Sequence, residues 1–475
     1  MTADARRWVA LGVVCLGVLM AVLDMTIVNV ALPSIGADLG FSETALVWVV
    51  NAYLLTCGGF LLLGGRLGDL YGQRRLFMVG IAVFSIASLA CGVSTAQAPL
   101  IVARAVQGLG GAIVEAVALA LLMSLFTEPA ERAKAMGIYG FVCAAGGSIG
   151  VVLGGVLTNA YDWHWNFLVN VPIGVAVFGL SFALLPAAGA RPAGEQLDVA
   201  GATTITAALL LAVYAVVGGN EAGWASPRTL GLLAAAAVLM AVFVAIEARV
   251  AAPLMPLRLL RSTTLVASNT IAVLWAAAMF AWFFMSALYL QRVLAYSPLQ
   301  VGLAFLPADL LMAVCSLGVS ARLVMRYGIR GPLGVGLLLA AAGLALFARA
   351  PVQAAFVVDV LPGMLLLGLG AGIAFNPLLI AAMGGVDESE SGLASGIVNT
   401  SFLMGGALGL AVLASVAAAH TGNDAAAVGA DALAAVNGGY RLAFAIGAMF
   451  AFAGAAIGAW LLPSRPAREP ASAVA

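Results

Sequence analysis

The stretch GRLGDLYGQRRLF, residues 65–77, crowds Arg66, Asp69, Arg74 and Arg75 between two apolar runs of a chain in which only 9% of residues are charged. The chain has 475 residues, 63% of them hydrophobic, and a mean hydropathy of +1.10. A water-soluble globule of that composition could not cover itself with polar surface. Apolar runs suited to a bilayer core about 30 Å thick, roughly 20 residues each, recur from one end to the other. The charged stretch therefore reads as a loop between two membrane spans of an all-α polytopic protein, with no soluble domain left over.

Breaking the runs at Gly, Pro and charge clusters predicts fourteen transmembrane helices, at 8–32, 44–64, 76–95, 99–124, 134–160, 166–186, 198–218, 228–248, 263–289, 300–320, 332–349, 355–383, 392–416 and 440–462. The first lies in MTADARRWVALGVVCLGVLM (1–20) and onward. Its Arg pair suits a signal sequence, but the apolar stretch runs well past signal-peptide length, so it reads as a retained helix. An even number of spans puts both termini on one side. Started inside, the chain places sixteen of its 21 basic residues in cytoplasmic segments, with only Arg228, Arg292, Arg349 and Arg441 opposite. The positive-inside rule then makes both termini and the 65–77 loop cytoplasmic. Trp163 and Trp165, in YDWHWNF, are expected as aromatic anchors at the outer interface.

Composition also excludes function classes. Cys15, Cys57, Cys91, Cys143 and Cys315 all fall in apolar runs without C-x-x-C spacing, so neither disulfides nor zinc are expected. His164 and His420 stand apart in outer loops, too few and too distant for a metal site. A net charge of zero points to no nucleic-acid partner. Lys134, the single lysine, sits in ERAKAM, whereas a phosphate-cradling loop needs G-x-x-x-x-G-K-[ST], so ATP hydrolysis by that route is excluded. An enzyme would show a clustered His/Asp/Cys constellation and a sensor a soluble output domain; neither is visible.

The opening stretch has an echo. ARLVMRYGIR (321–330) repeats Arg, Leu, Tyr, Gly and Arg of GRLGDLYGQR (65–74) at the same offsets. GLGAGIAFNPLLIAAM (368–383) matches GLGGAIVEAVALALLM (108–123), and ASGIVNTSFLMGGALG (394–409) matches AMGIYGFVCAAGGSIG (135–150), at separations of 256, 260 and 259 in order. The chain is thus read as two six-helix pseudo-repeats, 1–190 and 263–475, around inserted helices 7 and 8 in 191–262. Parallel halves with a site near the midplane are a recurring transporter design.

Four stretches carry a family resemblance that spans the whole chain in order. GRLGDLYGQRRLF resembles the signature loop of the major facilitator superfamily. LIVARAVQGLGGA (100–112) is similar to its helix 4 motif, LDMTIVNVALP (23–33) to the helix 1 motif of its drug:proton antiporters, and WHWNFLVNVPIG (163–174) to the start of helix 6 in the fourteen-helix branch. The resemblance implies that Gly65, Arg66, Asp69, Gly72 and Arg74 form a cytoplasmic gate latch. In the second copy Met325 stands in place of Asp69, so a charged latch would be one-sided. GGSIGVVLGG (146–155) puts Gly146, Gly150 and Gly154 on one helical lane and Gly147 and Gly155 on the next, and small residues at this spacing let backbones approach closely. It resembles the antiporter motif of helix 5, which in the family seals that helix against the other half and marks exporters. Val151 departs from the usual proline there, which reduces the weight of the export inference.

Charges inside the membrane must face a partner or water. Asp24, Arg104 and Glu115 are the principal ones, with Asp309 and Asp359 as lesser candidates. Arg104 and Glu115 lie about 16 Å apart along helix 4 and cannot pair, whereas Asp24, about 24 Å along helix 1, and Arg104, about 8 Å into helix 4, sit at similar depth. An Asp24–Arg104 pair is expected, either structural or part of coupling. Glu115 is left without an obvious partner. A carboxyl in a partly wetted apolar cavity can hold a proton at physiological pH and yield it to an arriving cation, which is the simplest antiport mechanism. In the second half Asn376 and Pro377 stand in place of the corresponding Glu115 and Ala116, so proton chemistry is expected in the first half.

Asn29, Asn51, Tyr53, Trp275, Phe280, Phe283 and Asn376 are the candidate lining of a substrate cavity, amide and aromatic groups that suit flat lipophilic or cationic compounds. Where the family's helix 13 is usually polar, Phe402 and Leu403 occur here. The reading is a secondary exporter in a bacterial cytoplasmic membrane. It is driven by the proton gradient, needs no cofactor, metal or ATP, and moves lipophilic or cationic small molecules. Its rivals are a narrow exporter or facilitator of an endogenous metabolite or lipid and, more remotely, a membrane enzyme or sensor.

Overall fold

The computed structural model describes residues 3–126, 128–185, 198–250, 253–383, 391–422 and 430–462, and among these every regular element is helical. In chain order the helices are α1 Ala3–Leu39, α2 Glu43–Tyr71, α3 Gln73–Gly92, α4 Gln97–Leu125, α5 Pro129–Ala160, α6 Asn170–Leu184, α7 Val199–Ala222, α8 Pro227–Glu247, α9 Thr263–Leu288, α10 Pro298–Val314, α11 Arg330–Phe347, α12 Leu361–Met383, α13 Ser391–Gly422 and α14 Ala430–Leu461. Among the described residues thirteen segments are long and apolar enough to cross a membrane. The shorter α10 runs on through a π turn, Cys315–Val319, into Ser320–Tyr327.

The stretch 65–77 is not the loop expected from composition. α2 continues to Tyr71, so Gly65, Arg66 and Asp69 ride on its last two turns, and the connection to α3 shrinks to Gly72. At 29 residues, α2 is about 43 Å long against a hydrocarbon core of about 30 Å, so its polar end projects beyond the lipid without ceasing to be helix. Gly72 has φ +92°, which lets the chain reverse in one residue; its N–H returns to the Gly68 carbonyl at 3.1 Å and its own carbonyl accepts from Leu76 N at 3.1 Å. Gly328 does the same in the echo, with φ +76° and its N–H on the Val324 carbonyl at 2.8 Å.

Helix starts follow capping chemistry. Ser42 accepts from Ala45 N and Ser226 from Thr229 N, Pro227 and Pro298 occupy first-turn positions, and Ser297 with Gln300 completes a capping box. Between helices, glycine permits contact at backbone distance: a Cβ on Gly110 of α4 would stand 2.6 Å from the Phe84 backbone nitrogen of α3. Two seams join the first six helices to the later ones, α2 against α13 and α5 against α10. α7 packs onto α2 and α13, where Asn220 Nδ2 donates to the Ser415 carbonyl (2.6 Å), while α8 leans mainly on α7.

Two expectations are corrected here. Trp163 is buried, donating its indole N–H to Asp38 Oδ2 at 3.0 Å and stacking on His164; Trp165 and Tyr161 are the exposed aromatics of that turn. His420 lies in the last turn of α13, because that helix runs to Gly422.

Replacing Gly72 by Ala forces a side chain into the left-handed region, at a cost of about 1–2 kcal/mol. Thermal unfolding in detergent should show the drop for Gly72→Ala. It should show none for Gly218→Ala, where no atom lies within 4 Å of the added methyl.

Candidate functional site

Asp24 on α1 and Arg104 on α4 form an ion pair with 0% and 1% of their side chains exposed. Arg104 Nη1 meets Asp24 Oδ2, while Asp24 Oδ1 accepts from Gln107 Nε2 (2.7 Å) and Asn170 Nδ2 (2.9 Å). Arg104 Nε donates to the Val49 carbonyl at 2.8 Å, and its guanidinium lies 4.6 Å from the Tyr53 ring centroid and 5.6 Å from that of Phe167. Gln107 Nε2 also reaches Ser88 Oγ at 2.6 Å. Five helices, α1, α2, α3, α4 and α6, thus meet at one buried polar knot. Both carboxylate oxygens have donors and a permanent cation stands beside them, the arrangement that makes a buried pair tolerable. Its geometry is that of a structural clamp. Gln107 and Asn170 were not singled out in the sequence, although Gln107 stands one turn after Arg104 and faces the same way.

Glu115, also on α4, is different. It is partly exposed and has neither a hydrogen bond nor an ion pair among the described residues. Cys57 of α2 and Tyr139 and Cys143 of α5 are its titratable neighbours, which places it between those helices. An intramembrane carboxyl without a partner can exchange a proton for a cation; Asp24 can do so only by breaking its clamp.

The helix 5 glycines divide by lane. Gly146, Gly150 and Gly154 face α1: added Cβ atoms would meet Val22 at 3.0 Å, the Leu23 carbonyl at 2.9 Å and the Ile27 carbonyl at 2.6 Å. Gly155 faces α10, with the Pro298 carbonyl at 2.7 Å, and Gly302 of α10 comes equally near the Val151 carbonyl, at 2.8 Å. Where α5 meets α10 the close approach is at Val151 and Gly155, and the three-glycine lane belongs to the α1 contact.

Of the expected latch residues, Gly72 makes the turn and Arg74 reaches α6, donating to the Phe182 carbonyl with its guanidinium 5.4 Å from the Phe182 ring. This contact lies within the first six helices. The side chain of Asp69 lies outside the described residues. At the opposite face the two parts are tied directly: Arg292 pairs with Glu43, Tyr440 Oη donates to Glu43 Oε1 (3.1 Å), and Gln291 Nε2 donates to the Val30 carbonyl (2.8 Å).

The seven candidate cavity residues do not converge on one space among the described residues. Asn29 bonds back to the Met25 carbonyl, and Asn51 is buried and donates to the Ala407 carbonyl across the α2–α13 seam (2.9 Å). Tyr53 lies under Arg104, Phe280 meets Phe402, and Asn376 donates to the Ser316 carbonyl inside the π turn (2.7 Å). Trp275 and Phe283 do share a cleft, together with Asp309.

The sequence matches the Major Facilitator Superfamily over residues 14–410. The chain belongs to this superfamily. Among its relatives is the puromycin resistance protein of Streptomyces alboniger, 39% identical over 97% of this chain and 92% of its own length. The cephamycin export protein of Amycolatopsis lactamdurans is 38% identical over 88% and 86%, and the multidrug resistance protein Stp of Mycobacterium tuberculosis 36% identical over 85% and 74%. Among solved structures, the inward-open xylose transporter XylE of E. coli shares the fold, with a TM-score of 0.65 at 13% identity over 97% of this chain and 98% of that one. The superfamily's fold accounts for the many apolar helices.

Removing one member of a buried pair leaves an uncompensated charge, a loss of about 3–5 kcal/mol. Arg104→Ala should therefore unfold far more readily in detergent than the double variant Asp24→Asn/Arg104→Gln. Equal melting of the two would show that the pair is not the clamp described.

Proposed function

We propose that this chain is a secondary active exporter of lipophilic or cationic drugs or antibiotics, of the fourteen-helix drug:proton antiporter branch. It resides in a bacterial cytoplasmic membrane with both termini inside. Two six-helix halves, 1–190 and 263–475, alternate about a midplane site, with 191–262 as an inserted pair. The single observation that carries proton coupling is Glu115: a carboxyl within a membrane span, partly accessible and without a hydrogen bond or ion pair among the described residues, whereas both oxygens of Asp24 accept hydrogen bonds. Relatives named for puromycin resistance and cephamycin export support antibiotics as the substrate class. Across about 150 mV one proton supplies roughly 3.5 kcal/mol, enough for about a 300-fold gradient of a neutral substrate. Neither ATP nor a bound cofactor is needed in this scheme.

A narrower reading has its own support, since those two relatives are named for single antibiotics. Transport of one member of a chemically varied panel would favour it; transport of many would favour multidrug export.

Proteoliposomes with a trapped pH dye test the coupling. Substrate added to the wild type should release a proton flux that falls at least tenfold in Glu115→Gln. Substrate movement without protons in the wild type would overturn the antiport reading.

A further inference from the structure

Between the first turns of α2 and α8 and the body of α7 lies a pocket of about 320 Å³. Its wall changes character in the same sense along two helices. Thr44 and Arg228, the second residues of α2 and α8, stand at the polar end. Trp48 and Leu232, one turn or about 6 Å further into each span, stand at the apolar end. Tyr214 of α7 joins the two: its hydroxyl accepts from Arg228 Nη2 at 2.8 Å, and its ring centroid lies 6.4 Å from that of Trp48. Arg228 is exposed and meets no carboxylate among the described residues, and its guanidinium lies 5.8 Å from the Tyr214 ring centroid. Among the described residues no Asp or Glu lines the pocket. Glu43, next to Thr44, is taken up by Arg292 and Tyr440.

We propose that this pocket binds an anionic phospholipid of the leaflet opposite the termini, its phosphate on Arg228 and the start of an acyl chain against Trp48 and Leu232. A guanidinium is a planar, permanently charged donor suited to phosphate, and a basic pocket between membrane helices is the kind of place where a lipid headgroup is held. The polar end at the margin of the spans and the apolar end one turn deeper match a molecule that is itself polar at one end and apolar at the other, a match that a soluble anion would not use. The lining also discriminates between headgroups. It offers no carboxylate for the ammonium of an ethanolamine or choline head, and Arg228 already stands by the Tyr214 ring, where a second cation would be repelled. The hydroxyls of Thr44 and Tyr214 suit a glycerol head instead, since the Tyr214 oxygen that accepts from Arg228 keeps its own proton to donate. Pockets for whole small molecules run to about 300–1,000 Å³, so this one takes the headgroup and the glycerol backbone while the chains run out into the bilayer. A lipid so placed touches α2, α7 and α8 at once, and ties α8, which leans mainly on α7, to the first six helices.

The test is native mass spectrometry of the purified full-length protein in mild detergent, titrated with phosphatidylglycerol or with phosphatidylethanolamine of the same chains. The tightest phosphatidylglycerol should bind at least tenfold more strongly than phosphatidylethanolamine. Arg228→Gln should weaken that binding at least tenfold, and so should Leu232→Trp, which fills the apolar end and leaves the charge in place. Arg349→Gln, at an exposed arginine in the turn after α11, should leave it unchanged. Equal weakening by Arg349→Gln, or weakening by Arg228→Gln without any by Leu232→Trp, would reduce the effect to surface charge and overturn the proposal. Equal affinity for the two lipids would overturn it too, as would release of the lipid by millimolar inorganic phosphate, which would make the occupant a soluble anion. Should Leu232→Trp not fold, Arg228→Gln against Arg349→Gln decides. Neither a proton gradient nor a transported substrate enters this measurement, so a failure of antiport in proteoliposomes overturns the exporter reading and leaves this result standing on its own.

Discussion

A charge in hydrocarbon has to be answered, and the packing of the first six helices is organised around one such answer. Arg104 is fully buried, and its guanidinium is consumed by Asp24, the Val49 carbonyl, Gln107 and two aromatic faces. Because the partners come from α1, from α2, from α4 itself and from the turn before α6, the requirement to satisfy one arginine sets the rotation and depth of α1, α2 and α4 together, and Asn170 and Ser88 extend the demand to α6 and α3. Hydrophobic contact alone could not do this, since lipid competes equally well for apolar side chains.

The clamp also divides labour between the carboxyls of the span region. A carboxylate with donors on both oxygens and a cation beside it holds structure; one without partners can exchange ligands. Asp24 is of the first kind, and Glu115 and Asp309 are of the second. That contrast, rather than the mere presence of acidic residues in apolar helices, supports the functional proposal. Such carboxyls are not confined to the first six helices, since Asp309 belongs to α10.

Much of this was legible in the chain because membrane helices advertise themselves by length and hydropathy, and because the Asp24–Arg104 pairing follows from depth along two helices. The boundaries were less legible. Arg66 and Asp69 suggested a loop, yet a helix satisfies its own backbone wherever it runs, so α2 carries these charges out past the lipid and turns only at Gly72. Rotation was the other blind spot. Spacing showed that Gly146, Gly150 and Gly154 share a lane but not which neighbour it faces, and that neighbour is α1. The amide and aromatic residues expected to share a cavity scattered for the same reason: Asn51 and Tyr53 point into helix contacts, and only Trp275 and Phe283 meet in a cleft.

Glu43 takes two partners at the face opposite the termini, Arg292 and Tyr440, and both members of the ion pair keep about a third of their surface in contact with solvent. Separated charges at such a place are rehydrated at once, so the pair adds only about 0–1 kcal/mol to closure. One proton crossing the membrane carries several times that energy. The tie therefore behaves as a clasp and not as a lock: it aligns the two parts when they meet and offers little resistance when they part, which leaves the barrier between states to the tightly apposed backbones of the α5–α10 seam.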